Sequence, residues 1–378
     1  MAQEYVYGTF ARDDLKGVPE CVAPGRDELL ESNRDLLAII GMNSLGTPCK
    51  QTVYDFYEKQ WRPMRTTLNG SVAAGVTTFI FSDQSFKPGE YIKTDSEVIK
   101  LGSTSNYLTF TGCTRSVGGG ADADHADGAS VRSYGKPWTI GSAAGTGDMI
   151  VQPNKVTNYT RIIKREIAVS RTAAVIEEYH RTGNSRYDAN LMEQRDNALQ
   201  ELENGLIDGV AVAAVADSTA GQAEGIFERI RSGSGTDQNG TTPTRDQIRV
   251  PLRGIKDYGG SGSLILCSDY MADVFSDWQL PYLRAEAGSP AAEKFGNTVK
   301  LLELSGGTLA VLPMPKIKNE LYILSPEFIR CGPLTASDFI HTFHGKDGDR
   351  IKGELVAEYT YQVGAPKAHH VLYDVASS

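Results

Sequence analysis

No stretch of about eighteen apolar residues occurs anywhere in the chain, which excludes a membrane-spanning helix. G-x-S-x-G, a Walker-type loop, H-E-x-x-H and a dinucleotide fingerprint are all missing, so the common motif-borne reactions have no anchor. The five cysteines among 378 residues (Cys21, Cys49, Cys113, Cys267, Cys331) lie far apart, with no C-x-x-C. That spacing excludes a disulfide framework and a zinc site and leaves reduced, mostly buried thiols. Basic charge is also short: a net charge of -9 disfavours tight nucleic-acid binding, which needs clustered Lys and Arg, without excluding a place beside DNA. Residues Met1 to Glu4 carry neither the basic patch nor the apolar core of a secretion signal, which predicts a cytosolic origin.

What is present is most informative between Asn158 and Val215. From Tyr159 to Val169, Thr160, Ile162, Ile163, Ile167 and Val169 alternate with Arg161, Lys164, Arg165 and Glu166, the pattern of a half-buried strand. Ser170 or Thr172 then opens a short helix through Ala173, Val175 and Ile176, closed by Gly183. Ser185 with Asp188 three residues on is a capping-box-like start for a long helix to Val210, about 39 Å at ~1.5 Å per residue. Tyr187, Leu191, Ala198, Leu199, Leu202 and Leu206 fall on one stripe. Glu193, Asp196, Asn197, Gln200, Glu203 and Asn204 fall on the opposite, wet face. Arg195 interrupts the stripe, either as a stem lying on the core with its head in water or as half of an ion pair. The whole span reads as a structural brace rather than a pocket.

The length suits two or three domains, or one elaborated domain. Residues 1–50 hold one helix, Arg26 to Ile40, between Gly- and Pro-rich stretches, and read as an arm ordered by packing on something else. Between residues 72 and 136, short β-prone runs (Val76 to Phe81, Tyr91 to Lys93, Val98 to Gly102, Tyr107 to Thr111, Ser130 to Ser133) alternate with turn signals, the spacing of an inserted small all-β module. Ser232 to Thr244 is rich in Gly, Ser, Thr and Asn and predicts a mobile surface loop. A mixed region follows, with helices at Ile248 to Tyr258 and Asp269 to Trp278 and strands at Ser263 to Cys267, Thr308 to Leu312 and Leu321 to Leu324. A long strand runs from Ile351 to Tyr361.

Candidate chemistry is thin. Asp122, Asp124, His125 and Asp127 crowd one loop, whose oxygens could hold calcium if backbone carbonyls completed the shell, but the spacing is not that of an EF-hand and a solvated hairpin loop is the plainer reading. Gly118-Gly119-Gly120 precedes no amphipathic helix and so builds no phosphate site. His341 with His344, and His369 with His370, are read as surface or interface residues. Arg161, Lys164 and Arg165 are read as a sheet face. No catalytic, cofactor-binding or metal-binding residue is assigned.

Several short pieces occur in a colinear order: Thr47-Pro48, then Trp61, then Asn158-Tyr159-Thr160, Val169-Ser170-Arg171-Thr172-Ala173, Glu201-Leu202-Glu203, Gly225-Ile226, Gly306-Gly307, and a terminal strand bearing Glu354 and Glu358. This order resembles the major capsid proteins of tailed phages with the Hong Kong ninety-seven phage fold, in the branch typified by the SU-ten phage head protein, over nearly the whole chain. A β insert alone is shared with tail and decoration proteins; the long helix argues against them.

The resemblance implies an α+β capsid fold with peripheral and axial domains: residues 1–50 the amino-terminal arm, 51–145 an extended loop carrying the β module (about 72–136), 146–216 with 340–378 the peripheral domain, and 217–339 the axial domain. It implies a structural, non-enzymatic subunit without cofactors. Such subunits self-assemble into pentamers and hexamers of an icosahedral head around double-stranded DNA, assembled in the host cytoplasm, with no membrane partner. A portal is the further partner, with scaffolding or decoration proteins left open; the short arm favours a separate scaffold. A tail or decoration protein, or an encapsulin-like cellular shell, is the alternative. The acidic balance suits a DNA container whose wall does not grip phosphates.

Overall fold

The computed structural model describes residues 35–60, 62, 64–140, 142, 152–175, 186–215, 218–279, 301–304 and 307–377. They fall into two compact units, one formed by the residues up to Asp55 with those from Thr157 onward, the other by Phe56–Val156. The first unit opens with α1 (Asp35–Ile40), which buries Leu36, Leu37 and Ile40. The part of the expected helix upstream of Asp35, and Trp61, lie outside the described residues. Next comes β1 (Val53–Glu58).

The second unit holds β2 (Arg65–Thr67), β3 (Phe79–Ile80), β4 (Tyr91–Thr94), β5 (Glu97–Lys100), β6 (Ser103–Thr104), β7 (Thr109–Thr111) and β8 (Ser130–Gly135). They form two antiparallel sheets, ordered β2-β8-β4-β5 and β3-β7-β6, around one core that includes Phe79, Phe81, Phe86, Ile92, Ile99 and Phe110. Alternation along β8 shows why: Val131 and Ser133 are buried while Ser130, Arg132 and Tyr134 face out. β2 lies upstream of the run that the sequence pattern marks, and three residues of Arg-Thr-Thr carry too little periodicity to show it. At Gly102 the backbones approach so closely that a Cβ would stand 2.0 Å from the Thr111 carbonyl oxygen, so only glycine fits.

The chain re-enters the first unit within β9 (Asn154–Tyr159), which pairs with β1, and continues through β10 (Arg161–Ser170), α2 (Arg171–Val175) and α3 (Arg186–Asp208). Ser170 caps α2, its hydroxyl accepting from the Ala173 N–H at 3.2 Å. The remainder of that helix, Gly183 and the Ser185 cap lie outside the described residues, while Asp188 sits in the first turn of α3, where a carboxylate favours the helix dipole. Then follow α4 (Ile226–Ser234), β11 (Gly235–Thr241), α5 (Arg245–Asp257), β12 (Leu264–Cys267), α6 (Asp269–Gln279), β13 (Leu301–Leu304), β14 (Gly307–Pro313), β15 (Leu321–Leu324), β16 (Ile329–Pro333), β17 (Ile340–Asp347), β18 (Arg350–Val363) and β19 (His370–Val375).

Two sheets organise this unit. In the first, antiparallel throughout, β18 lies between β10 and β16 and also pairs with β17. The second is six-stranded and mixed, in the order β11-β19-β15-β12-β14-β13. Both faces of the second sheet are covered at β12 and β15, which explains their unbroken apolar runs. Leu264 and Leu266 of β12, with Tyr322 and Leu324 of β15, enter one core beside α3 and α4. Ile265, Cys267, Leu321 and Ile323 enter another beneath α5 and α6.

The loop expected at Ser232 to Thr244 is a correction. Its first residues finish α4, Gly235–Thr241 form β11, parallel to β19 with Gly235 opposite Val371, and only residues 242–244 remain a loop. The ladder that orders this polar stretch comes from the far end of the chain, and composition carries no trace of such a partner. α5 also starts earlier than the apolar pattern suggests, because the Thr244 N–H donates to Gln247 Oε1 at 2.7 Å and fixes the first turn.

Candidate assembly elements

The functional candidate here is the set of contacts that seats α3 on its sheet, in the core that α3 shares with β10 and β18. Ala198, Leu202 and Leu206 are buried in the core together with Ile163, Ile167, Leu355 and Tyr359. Tyr361, buried in β18, donates its hydroxyl to the Leu202 carbonyl at 2.8 Å. Burial holds the Tyr361 phenol well above its ordinary range, so it stays a donor. Gly205 makes this approach possible: a Cβ there would stand 2.6 Å from Arg161 Nη1 and 2.9 Å from the Tyr361 hydroxyl.

One carboxylate bridges two strand arginines. Glu201 accepts from Arg161 Nη2 at 2.6 Å and from Arg165 Nη2 at 2.8 Å, and Lys164 meets Glu354 at 2.6 Å on β18. The three basic residues read as a sheet face are therefore spent on intramolecular pairs. These pairs are partly exposed and screened by solvent, so they add little to stability. Arg195 is exposed, and its charge acts on the buried Tyr359 phenol.

Glu203 departs from the sequence pattern. Placed on the wet face by helical spacing, it is fully buried, with Oε2 accepting from the Leu37 N–H at 3.4 Å and Oε1 4.0 Å from Lys316 Nζ. The helix is amphipathic only where solvent reaches it. Beside Glu203, α1 and the segment after β14 close over its other side.

The Asn158-Tyr159-Thr160 triplet is a polar junction. The Asn158 amide donates to the Tyr361 carbonyl at 2.8 Å and the Glu224 carbonyl at 3.2 Å, while its oxygen accepts from the Glu224 N–H at 2.7 Å and the Tyr159 N–H at 2.8 Å. All four of its hydrogen-bonding positions are filled, at a residue only 2% exposed. The Thr160 N–H donates to the Thr52 carbonyl at 3.0 Å and its hydroxyl to Glu358.

Within the β-rich unit, Glu97 collects donors. Arg115 binds it in bidentate fashion at 2.9 and 2.6 Å, the Ser116 and Ala123 N–H groups donate at 3.2 Å each, and His125 Nε2 lies at 2.9 Å. Burial alone would raise its pKa, but the Arg115, Ala123 and His125 hydrogen bonds outweigh that and hold it at about 2. Neither Glu97 nor Arg115 belongs to a motif, and only the fold unites them.

The acidic loop that sequence reading singled out disperses. Asp124 accepts from the Ala74 N–H at 2.6 Å, Asp127 from the Gly70 N–H at 2.7 Å and Asp122 from the Ser116 hydroxyl at 2.8 Å. His125 is buried rather than solvated, its Nδ1 lying 2.9 Å from Asp95. Among the described residues no group of three or more His, Cys, Asp or Glu side chains is arranged to hold a metal ion. The histidine pairs part company as well. His341 meets the Tyr187 hydroxyl at 2.7 Å and His344 meets Glu354 at 3.4 Å, both from β17, whereas His370 opens β19 in the other sheet and His369 is the residue before it. Cys49, Cys113, Cys267 and Cys331 are free and buried; Cys21 lies outside the described residues.

The sequence matches the family described as SU10 major capsid protein over residues 27–376. The chain belongs to the SU10 major capsid protein family. It is thus a structural capsid protein of a tailed phage, a subunit of the virion shell, and none of its described helices is long and apolar enough to cross a membrane. No curated protein matches this capsid protein. Among solved structures, it is similar to a Gordonia phage Cozz structure at 10% identity, covering 100% of this chain and 99% of that one with a TM-score of 0.49. A Mycobacterium phage Adephagia structure is similar at 9% identity, with coverages of 98% and 99% and a TM-score of 0.48. An encapsulin complex from Synechococcus elongatus is similar at 12% identity, with coverages of 60% and 79% and a TM-score of 0.43. Similarity at this level is partial, and the family assignment rests on the match over residues 27–376.

For this capsid protein, sequence reading found α3, β10 and the Asn158 triplet. It missed Tyr361, Gly205, Glu97 and Arg115. A glycine inside an otherwise strong helix was the one available signal, since it costs about 1 kcal/mol against alanine and so implies a close approach.

Proposed function

We propose that this capsid protein has the Hong Kong ninety-seven phage fold and self-assembles into pentamers and hexamers that close an icosahedral head around double-stranded DNA, performing no catalysis. The family match over residues 27–376 carries this reading. In it, residues 1–50 form the arm, 51–145 the extended loop with its β module, 146–216 with 340–378 the peripheral domain, and 217–339 the axial domain. A β-rich unit with its own core, inserted between Asp55 and Thr157, suits a projection that reaches neighbouring subunits. So do apolar side chains left in water, such as Phe343 and Trp138, each 60% exposed, and Ile162 at 61%. Several weak contacts of this kind close a shell together through multivalency.

The DNA partner is contacted without sequence readout, and a net charge of -9 suits a wall that releases phosphates easily. A portal completes the head, with a separate scaffolding or decoration protein as a further partner. Negative-stain microscopy of the purified chain tests the reading. Closed shells with five- and six-fold capsomers are the expected result. Rods or open rings would overturn it in favour of a tail protein, and shells that co-purify with an enzyme cargo in favour of a cellular compartment.

A further inference from the structure

The chain passes between the two sheets of the first unit twice in neighbouring places: β15 leads through residues 325–328 into β16, and β18 returns through residues 364–369 into β19. These two crossings are tied to each other. The Gly364 N–H donates to the Phe328 carbonyl at 2.9 Å. The Ser325 hydroxyl donates to the Ala368 carbonyl at 2.7 Å and accepts from the Gly262 N–H at 2.9 Å. His369, fully buried, spends both ring nitrogens here: Nδ1 accepts from the Ser325 N–H at 3.1 Å, and Nε2 lies 3.1 Å from the Gly364 carbonyl.

This geometry permits one protonation state only. A carbonyl oxygen requires the proton on Nε2, and a backbone N–H requires a bare lone pair on Nδ1. A second proton would set an N–H against the Ser325 N–H, leaving two buried donors without an acceptor, which costs more than the bond is worth. Protonation of His369 and its bond to Ser325 therefore exclude one another.

We propose that His369 is a proton-sensitive pin in this double crossing: with Nδ1 bare it holds Ser325 and locks the two sheets together, and on taking up a proton it releases Ser325 and frees the crossings to move. Its surroundings set the direction. Burial disfavours the imidazolium, and although the Gly364 carbonyl and the Glu327 carboxylate oppose this, the ring titrates down at about 4. Glu327 is itself held by the Ser261 N–H and hydroxyl at 3.0 and 2.9 Å. Around the crossings, Arg229 donates to the Val363 carbonyl at 3.3 Å, and Lys367 lies over the Tyr258 ring. His370 meets the Thr236 hydroxyl at 3.2 Å and also titrates at about 4 through burial, so it must be separated experimentally. The sign follows: the lock is complete above the ordinary histidine range near 6.5 and weakens as pH falls toward about 4.

Hydrogen exchange of the full chain at pH 7.5 and 4.5, with rates corrected for intrinsic chemistry, tests the pin. The expected result is about tenfold faster exchange in peptides containing Ser325 and Gly364 at the lower pH, with peptides spanning Leu68 to Val131 unchanged. His370→Gln should keep that response and His369→Gln should lose it. Equal protection at both pH values, acceleration across every peptide, or a response that moves with His370 would each overturn the proposal. If His369→Gln does not fold, Ser325→Ala serves instead: it removes the hydroxyl bonds but keeps the N–H, so the crossings should be looser at pH 7.5 and still respond to acid. A Ser325→Ala protein with no acid response would equally overturn it.

Discussion

Asn158 and Glu224 face one another as residues in a β-ladder do, with the Asn158 side chain standing in for a backbone: its Nδ2 donates to the Glu224 carbonyl at 3.2 Å and its Oδ1 accepts from the Glu224 N–H at 2.7 Å. One side-chain amide thus ties the segment before α4 to the end of β9, and its second amide hydrogen reaches the Tyr361 carbonyl in β18. Only an amide offers a donor and an acceptor in this plane.

Asn158→Asp should be the more damaging change at this position. A carboxylate would face two carbonyl oxygens, whereas Asn158→Ala only leaves their partners unpaired. We expect the alanine variant to lose about 2–4 kcal/mol in denaturant unfolding and the aspartate variant more. A midpoint for Asn158→Asp equal to the parent's would show that this junction does not support the fold.

Leu202→Asp places an unpaired carboxylate in the core beneath α3, where Leu202 is fully buried. A loss of about 4 kcal/mol or more is expected, read as a lowered melting temperature of the subunit itself before assembly. Gly205→Ala on the same helix should also destabilise, because its Cβ meets Arg161 and Tyr361. If both proteins melt like the parent, the face of α3 has been misassigned.

The Glu97 carboxylate predicts an acid response in the β-rich unit. Its folded pKa of about 2 lies below the ordinary 4.5, so its contribution is complete above pH 4.5 and is lost as pH falls toward 2, by roughly 3 kcal/mol in all. Calorimetry of the full chain at pH 5 and pH 3 should show the parent losing stability and Glu97→Gln, already destabilised at pH 5, losing less. Parallel pH slopes for the two proteins would remove Glu97 as the cause.

Replacing residues 62–140 by a short Gly-Ser linker should leave the first unit folded, since among the described residues its two cores include none from that segment. Closed shells should be absent, because the contacts assigned to the projection are gone. Circular dichroism and negative-stain microscopy of the same preparation check both halves, and normal particles would refute the role given to the β-rich unit.

Legibility followed the range of the forces involved. α3 was readable because its period is local, and β12 and β15 because strands buried on both faces are continuously apolar. β11 was not, since seven residues of Gly-Thr-Asp-Gln-Asn-Gly-Thr have no β character of their own and are ordered by β19. The aspartates of the 122–127 loop were conspicuous together in sequence and are separated by their partners, while Glu97 and Arg115 were inconspicuous and are brought together.

By itself, then, the sequence determined the long helix, most of the buried strands, the absence of motif chemistry and the colinear pattern that marks the family, because each is written in neighbouring residues. The tertiary structure alone decided that Glu203 lies inside, that Asn158 is saturated with the help of two distant segments, and that His369 pins two chain crossings. Those outcomes depend on which distant backbone arrives at a given side chain, and the free energy of a buried polar group is set by that arrival rather than by its own identity.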